Sequence, residues 1–204
     1  MRRIQVPKFI QAIFPSLICN NKNSGNNIWL TFDDGPCPQA TPYILKVLKE
    51  EKIKATFFLV GEQIDKYPKL FREIVSSGHV VANHSYSHKS GWISKNSEYI
   101  KDIEKCQQRM PTNKLFRPPY GKISPLQIKH LKYKFKIILW DVLSWDFSPK
   151  ISSEKIQSNI LENTKSGSII VLHNNQYSIK KTKSIVKETI QELKKKKFLF
   201  STTW

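Results

Sequence analysis

The sequence predicts an α/β fold in which mostly parallel strands form one sheet and helices pack outside it. Short apolar runs alternate with amphipathic stretches through residues 28–204. This alternation is typical of parallel sheets whose strands are joined by crossover helices. The chain has 204 residues, of which 39% are hydrophobic, and these values predict one domain with a core. The alternation alone leaves open whether the sheet is open or a small, irregular barrel.

Residues 1–27 precede the first clear strand, and we expect them to pack as a structural segment on the domain formed by residues 28–204. Arg2 and Arg3 followed by apolar residues 9–19 imitate a signal peptide. Gln11 and Pro15 interrupt the apolar stretch, however, and no small-x-small cleavage site follows it. The sequence therefore predicts a cytoplasmic location, with association with the cell envelope as the alternative. No apolar run has the roughly 20 residues that a membrane span needs.

The elements can be placed in order along the chain. Strands are predicted at residues 28–32, 55–60, 80–82, 115–117, 135–140, 168–172 and 198–201. Helices are predicted at residues 42–51, 68–77, 97–110, 124–131, 152–164 and 178–197, where apolar residues recur with helical spacing. Thr41 and Ser97 are candidate N-caps, whereas Gly78 and Pro111 are expected to end the helices before them.

Polar side chains follow five of the predicted strands. In chain order they are Asp33 and Asp34, His84 and His88, Arg117, Asp141 and Asp146, and finally His173. Ligands bind at the carboxyl ends of parallel strands, so we expect these side chains to meet. Taken singly each has a structural explanation, since Asp favours turns and a bare H-x-x-x-H is a weak metal motif.

Together these residues predict metal-assisted hydrolysis of an amide or ester. Two imidazoles and one carboxylate can hold a divalent metal ion and leave positions open for water and substrate. A second carboxylate can take a proton from the water, whose pKa the metal lowers to roughly 7, and another histidine can protonate the leaving group. An iron oxygenase built on the same two-His-one-carboxylate set is an alternative.

Five motifs resemble, in order, those of the polysaccharide deacetylase family, the NodB-homology domain of carbohydrate esterase family 4. They are TFDDGP (31–36), NHSYSH (83–88), RPPYG (117–121), WDVLSWDF (140–147) and IVLH (170–173). The resemblance implies a distorted (β/α) barrel. It also implies a metal-dependent enzyme that removes N-acetyl groups from N-acetylglucosamine-type sugars of peptidoglycan or a chitin-like polysaccharide.

The resemblance further implies roles for the residues in the first three motifs. Asp34, His84 and His88 would bind one divalent metal ion, with zinc expected first and cobalt, nickel or iron as alternatives. Asp33 would be the general base, and Arg117 would orient it and hold it ionised.

The remaining roles implied by the resemblance concern acid catalysis and the acetyl pocket. His173 would be the general acid, paired with Asp146. The backbone N–H of Tyr120 would stabilise the oxyanion. Tyr120, Leu172 and Trp145 would contact the substrate, with Leu172 lining the pocket for the acetyl methyl group.

The formal net charge of +18 raises the question of a polyanionic partner. All but five of the 34 basic residues are lysines, whereas nucleic-acid recognition favours arginine. We therefore expect no nucleic-acid partner, weak association with anionic surfaces, and a monomer. The alternative function is a non-catalytic basic module that binds anionic glycan or nucleic acid on the same fold.

Cysteine and tryptophan add two further expectations. The three scattered cysteines predict neither a disulfide framework nor a Cys-type zinc site. Trp29 and Trp140 flank strands and are expected in the core, whereas Trp92 and Trp145 lie in loops and are candidates for stacking on sugars.

Overall fold

Residues 5–21, 24–110 and 113–204 are described by the computed structural model of the chain. Within them the strands are β1 (Leu17–Ile18), β2 (Asn27–Asp33), β3 (Thr56–Leu59), β4 (Val80–Asn83), β5 (Leu115–Phe116), β6 (Lys136–Ile138), β7 (Val142–Leu143), β8 (Ile169–His173) and β9 (Leu199–Phe200). The helices are α1 (Lys8–Ile13), α2 (Thr41–Glu50), α3 (Gly61–Lys66), α4 (Pro68–Ser76), α5 (Asn96–Gln107), α6 (Pro125–Leu131), α7 (Ser153–Asn163) and α8 (Ile179–Lys195). A 3₁₀ turn covers Pro119–Gly121.

The strands form one curled, parallel sheet. Their order is β1-β6-β5-β4-β3-β2-β8-β7, and β9 pairs with the start of β2. The paired strands run parallel throughout, as expected when the connections pass through outer helices. In the described ranges no pairing joins β1 to β7, so the ring is incomplete. The predicted α/β class and distorted (β/α) barrel are confirmed.

Successive side chains of β2 point alternately toward the outer helices and toward the barrel interior. Ile28, Leu30 and Phe32 pack under the helices in the largest apolar cluster. Trp29 instead faces the barrel interior and packs with Phe58 of β3. The inward-facing positions become polar at the carboxyl end of β2, which places polar groups at the mouth of the barrel.

Helix α8 covers the sheet with one apolar face. Ile185, Val186, Ile190 and Leu193 of this face are buried, and burying each side chain stabilises the fold by about 2 kcal/mol. The lysines of α8 occupy mainly the other face.

Trp204 fills the end of the barrel where the strands begin. Its ring centroid lies 5.9 Å from that of Trp29 and 6.2 Å from that of Phe58. Trp204 Nε1 donates a hydrogen bond to Thr56 Oγ1 (3.0 Å), and Trp29 Nε1 donates to the carbonyl oxygen of Thr203 (2.9 Å). The mouth with the polar residues is therefore at the opposite end.

The N-terminal segment contributes α1 and β1, neither of which the sequence predicts. β1 pairs with β6, and Ile10 and Phe14 pack against a cluster that contains buried Leu17 and Cys19. The domain boundary after residue 27 stays a prediction, and the basic residues at positions 2 and 3 lie outside the described ranges.

Other differences are local. The predicted strand at residues 135–140 is shortened to β6, and β7 and α3 form where the sequence predicts no element. Ala40 and Lys95 occupy the N-cap positions of α2 and α5, so Thr41 and Ser97 lie inside these helices. Pro111, predicted to end α5, lies outside the described residues. None of the described helices combines the length and apolar content that crossing a membrane requires.

Candidate active site

A carboxylate and two imidazoles converge at the mouth of the barrel. Asp34 follows β2, and His84 and His88 belong to the loop after β4. Asp34 Oδ1 lies 3.5 Å from His84 Nε2 and 3.1 Å from His88 Nε2, and ligand atoms of the three residues all lie within 4.8 Å of one another. Tetrahedral zinc ligands at 2.0–2.2 Å are roughly 3.4 Å apart, so the spacing fits one divalent ion. Burial raises the pKa of Asp34, but hydrogen bonds from both histidines outweigh burial and hold it well below its usual range.

The other ring nitrogens fix the orientation of both imidazoles. His84 Nδ1 lies 2.8 Å from the carbonyl oxygen of Arg117, and His88 Nδ1 lies 3.1 Å from Tyr120 Oη. A carbonyl oxygen only accepts, so Nδ1 of His84 carries a proton, and in the neutral ring Nε2 is then the nitrogen that can bind a metal ion. Such outer partners are typical of metal-binding histidines. The donor set and its support therefore fit a divalent metal ion.

Helix α5 holds the loop that carries the two histidines. Asp102 Oδ2 accepts hydrogen bonds from the backbone N–H groups of Tyr86 (3.0 Å) and Ser87 (3.1 Å), and Asp102 Oδ1 accepts from Ser87 Oγ (2.7 Å). Ser85 and His88 have φ values of 64° and 55°, which residues other than glycine adopt only when their surroundings hold them there. Asp102 thus fixes the loop backbone and, through it, the two imidazoles.

A second carboxylate, Asp33, is buried beside an equally buried guanidinium. Arg117 Nη1 donates to Asp33 Oδ1 at 2.6 Å and to Thr31 Oγ1 at 2.7 Å. Arg117 Nη2 donates to the carbonyl oxygen of Leu139 (3.1 Å), and Nε donates to that of Ile138 (3.4 Å). Asp33 is 3% exposed and still lines the cleft. Its position next to the metal-ligand group suits a general base.

His173 stands beside Asp33, because the two residues are register partners across β2 and β8. His173 Nδ1 donates to Asp146 Oδ1 at 2.6 Å, and its backbone N–H donates to Asp146 Oδ2 at 2.7 Å. Burial lowers the pKa of His173, but the charge and hydrogen bond of Asp146 outweigh burial and raise it from 6.5 to about 9. The imidazole is therefore protonated at neutral pH.

These groups open on one cleft of about 690 Å³. Its apolar wall contains Trp140, Leu143, Trp145 and Val171. The prediction that Leu172 lines this wall is wrong. Strand alternation turns Leu172 toward the helices, where it is fully buried in the core, and turns Val171 into the cleft. Trp140, predicted to belong to the core, does pack against two core clusters, but its half-buried side chain also lines the cleft.

Tyr120 forms the rim of the cleft, with its side chain 62% exposed. Its φ is 60°, and its backbone N–H meets no acceptor within the described part of the chain. This N–H can therefore donate to a ligand. Of the seven non-glycine residues with positive φ in the described ranges, five lie at this mouth: Asp34, Ser85, His88, Tyr120 and Trp145. Backbone strain of this kind gathers at functional sites.

Some contacts at the site escape sequence reasoning. Asn175 Nδ2 donates to Asp34 Oδ2 at 2.6 Å, and Asn174 is buried beside it. No sequence signal separates Asn175 from an ordinary turn asparagine. Asp141, predicted to stand with the strand-end carboxylates, instead accepts a hydrogen bond from the N–H of Ile169 (2.8 Å) at the start of β8. It therefore belongs to the opposite end of the sheet.

A distorted (β/α) barrel whose mouth carries an Asp–His–His group beside two buried ion pairs defines a class of metal-dependent hydrolases. The sequence matches the polysaccharide deacetylase family over residues 20–134, more than half of the chain. The chain belongs to this family. The matched range includes the metal-ligand group, Asp33 and Arg117, whereas Asp146 and His173 lie beyond it.

Individual relatives agree with this assignment. A peptidoglycan-N-acetylglucosamine deacetylase of Bacillus cereus is 39% identical over 150 residues, which cover 71% of this chain and 54% of that protein. A chitooligosaccharide deacetylase of Azorhizobium caulinodans is 34% identical over 157 residues, covering 72% of this chain and 73% of that protein. A crystal structure of a peptidoglycan N-acetylglucosamine deacetylase in complex with 4-naphthalen-1-yl-N-oxidanyl-benzamide is similar with a TM-score of 0.87 and 32% identity, over 96% of this chain and 94% of that chain. The chain spans about half the length of the first of these relatives.

Proposed function

We propose that this protein is a metal-dependent N-deacetylase that removes acetyl groups from N-acetylglucosamine residues of a polysaccharide, peptidoglycan first and a chitin-like polymer second. One observation carries the proposal. A metal-ligand group, a buried carboxylate and an imidazole protonated at neutral pH all open on the same cleft. The similarity to peptidoglycan-N-acetylglucosamine and chitooligosaccharide deacetylases supports the same substrate class.

Each group at the mouth has a task in amide hydrolysis. Asp33 accepts a proton from the attacking water, and Arg117 holds Asp33 in place for this transfer. The N–H of Tyr120 donates to the acetyl oxygen as this oxygen becomes negative. His173, charged through its pairing with Asp146, donates a proton to the sugar nitrogen so that the amine can leave. The apolar wall of the cleft receives the acetyl methyl group.

Asp34, His84 and His88 hold the metal ion in this proposal, with zinc expected first because nitrogen and oxygen ligands in this number suit it. When bound, the ion supplies Lewis acidity and makes water more acidic. Asn175 keeps the Asp34 carboxylate oriented through its second oxygen. Cobalt, nickel and iron remain the alternatives, and replacing one metal by another while following acetate release ranks them.

The test compares acetate release from N-acetylglucosamine oligomers and from peptidoglycan by the wild type, Asp33→Asn and His84→Ala. We expect both variants to lose activity, Asp33→Asn while still binding zinc and His84→Ala with weakened zinc binding. Glu104→Gln, which breaks an exposed ion pair with Lys134, is the matched control. Wild-type activity in Asp33→Asn would overturn the proposal. Salt-sensitive glycan binding without acetate release or metal dependence would favour the non-catalytic basic module, and oxygen consumption would favour the oxygenase.

A peptidoglycan substrate also bears on location. It favours association with the cell envelope over the cytoplasmic location predicted from the sequence. Cell fractionation tests this part of the proposal, and light scattering tests the predicted monomer.

A further inference from the structure

A row of three exposed side chains leads outward from the metal-ligand group. Tyr120 contacts His88, with ring centroids 4.7 Å apart. The Nζ atom of Lys122 lies 5.9 Å from the ring centre of Tyr120 and 5.4 Å from that of Trp92. One ammonium group thus stands between two aromatic rings, and the inner ring touches a metal ligand.

Trp92 is 67% exposed, yet it is held firmly. Its Nε1 donates to the carbonyl oxygen of Ile123 at 3.3 Å. The preceding residue, Gly91, donates its N–H to the carbonyl oxygen of Lys122 (3.1 Å) and accepts from Gln127 Nε2 (2.8 Å). A Cβ atom at Gly91 would lie 2.5 Å from Gln127 Oε1 and 2.6 Å from the Lys122 carbonyl oxygen, so only glycine permits this close approach. These contacts hold the ring of Trp92 out in solvent beside Tyr120 and Lys122, where its face can stack on a ligand.

Lys122 brings a charge to the row. It is exposed and forms no ion pair with any carboxylate in residues 5–21, 24–110 and 113–204. A sugar ring presents a flat face of C–H groups that packs on an aromatic ring. A ligand that contacts both aromatic rings and the ammonium group of Lys122 is therefore a chain of sugars that carries a negative group.

We propose that Tyr120, Lys122 and Trp92 form an outer subsite for the glycan strand that continues from the sugar at the cleft. Lys122 favours strands in which a neighbouring sugar bears a carboxylate. This inference rests on the proposed deacetylase function and deepens it, because it separates acidic glycan strands from neutral chitin-like ones.

The experiment measures acetate release by the wild type, Trp92→Ala and Lys122→Ala. The neutral substrates are N-acetylglucosamine oligomers of two to six sugars. The acidic ones are peptide-free strands of the same lengths in which N-acetylglucosamine alternates with a carboxylate-bearing amino sugar. We expect Trp92→Ala to raise KM about tenfold for long strands of both kinds and to leave disaccharides unchanged. We expect Lys122→Ala to raise KM for acidic strands alone and to weaken the salt dependence of KM.

The chain offers a matched control pair. Lys132 Nζ lies 4.9 Å from the ring centre of Tyr133, which is 80% exposed, and this pair precedes β6 at the other end of the barrel. Tyr133→Ala and Lys132→Ala should leave every KM unchanged.

Several outcomes would overturn the inference. Equal effects of Trp92→Ala on short and long strands, or no effect, would refute the subsite. Equal effects of Lys122→Ala on neutral and acidic strands would refute selection by charge. If the wild type releases acetate from no strand, the proposed function fails. Calorimetry of the binding of the six-sugar acidic strand then still tests the subsite. Wild-type affinity in both variants would refute the subsite, and a loss of affinity in both would support it.

Discussion

The pair formed by Asp146 and His173 tests the proposed chemistry directly. Asp146→Asn keeps the shape of the side chain and removes its charge. The charge of Asp146 and its 2.6 Å hydrogen bond are the main causes that raise the pKa of His173 to about 9 against the effect of burial. Burial remains in the variant, so we expect the pKa of His173 to fall to 6.5 or below.

The expected loss of activity follows from these values. A pKa of about 9 instead of 6.5 corresponds to about 3 kcal/mol in favour of the protonated imidazole. At pH 8 roughly nine-tenths of the wild-type imidazole is protonated, against about 3% at a pKa of 6.5. If His173 is the general acid, Asp146→Asn should lose about thirtyfold in rate at pH 8 and much less at pH 6.

The assay is the pH profile of kcat/KM for acetate release by zinc-loaded protein, together with an NMR titration of His173. The alkaline limb should move from about 9 to 6.5 or below in Asp146→Asn and stay in place in the remote control Glu104→Gln. The free energy of unfolding depends on pH in the same direction, because the pKa of His173 is higher in the folded protein than in the unfolded chain. The contribution of the pair is fully present below pH 6.5 and is lost as the pH rises through about 9. An alkaline limb that remains near 9 in Asp146→Asn would refute the reasoning.

Three more predictions concern stability and metal binding. Arg117→Met leaves Asp33 buried without its partner and should lower the free energy of unfolding by about 3–5 kcal/mol in urea titrations; a loss below about 1 kcal/mol would contradict this account of the pair. Asp102→Asn turns one accepting oxygen into a donor and should weaken zinc binding by about 10–100-fold in calorimetry. Glu98→Gln on the same helix should leave zinc binding unchanged. Unchanged zinc affinity in Asp102→Asn would show that the loop after β4 keeps its conformation without Asp102. Chelation should lower the melting temperature, and zinc at a thousandfold excess over its Kd should restore about 4 kcal/mol. Both responses should be smaller in His84→Ala, which binds zinc more weakly, and equal responses would contradict the proposed metal site.

The composition of the mouth could be predicted because it depends on one general rule. Side chains that directly follow parallel strands gather at one end of a barrel. Asp33, His84, Arg117 and His173 each follow an apolar run closely enough for the rule to place them. Asp141 breaks the pattern, because β6 ends earlier than its apolar run, and Asp141 comes just before β7.

The wrong and missing predictions concern features that leave no local pattern in the sequence. Residues 169–172 are all apolar, so nothing in the run shows that Val171 faces the cleft and Leu172 the helices. The two-residue strands β1 and β7 exist only through pairing with distant partners. Asp102 and Asn175 act on the metal-ligand group across 15 or more residues of chain, and such contacts have no local signature.

The interior of the barrel is a continuous stack. The ring of Trp204 lies 6.2 Å from that of Phe58, the guanidinium of Arg117 lies 4.0 Å from the centre of the Phe58 ring, and Arg117 in turn holds Asp33. For the part of the chain that the structure describes, this stack therefore fills the barrel below the candidate cleft. With the proposed function, water, the acetylated sugar and the departing acetate would share the open side of the cleft, and a glycan strand lying across the rim would also slow the release of the acid product.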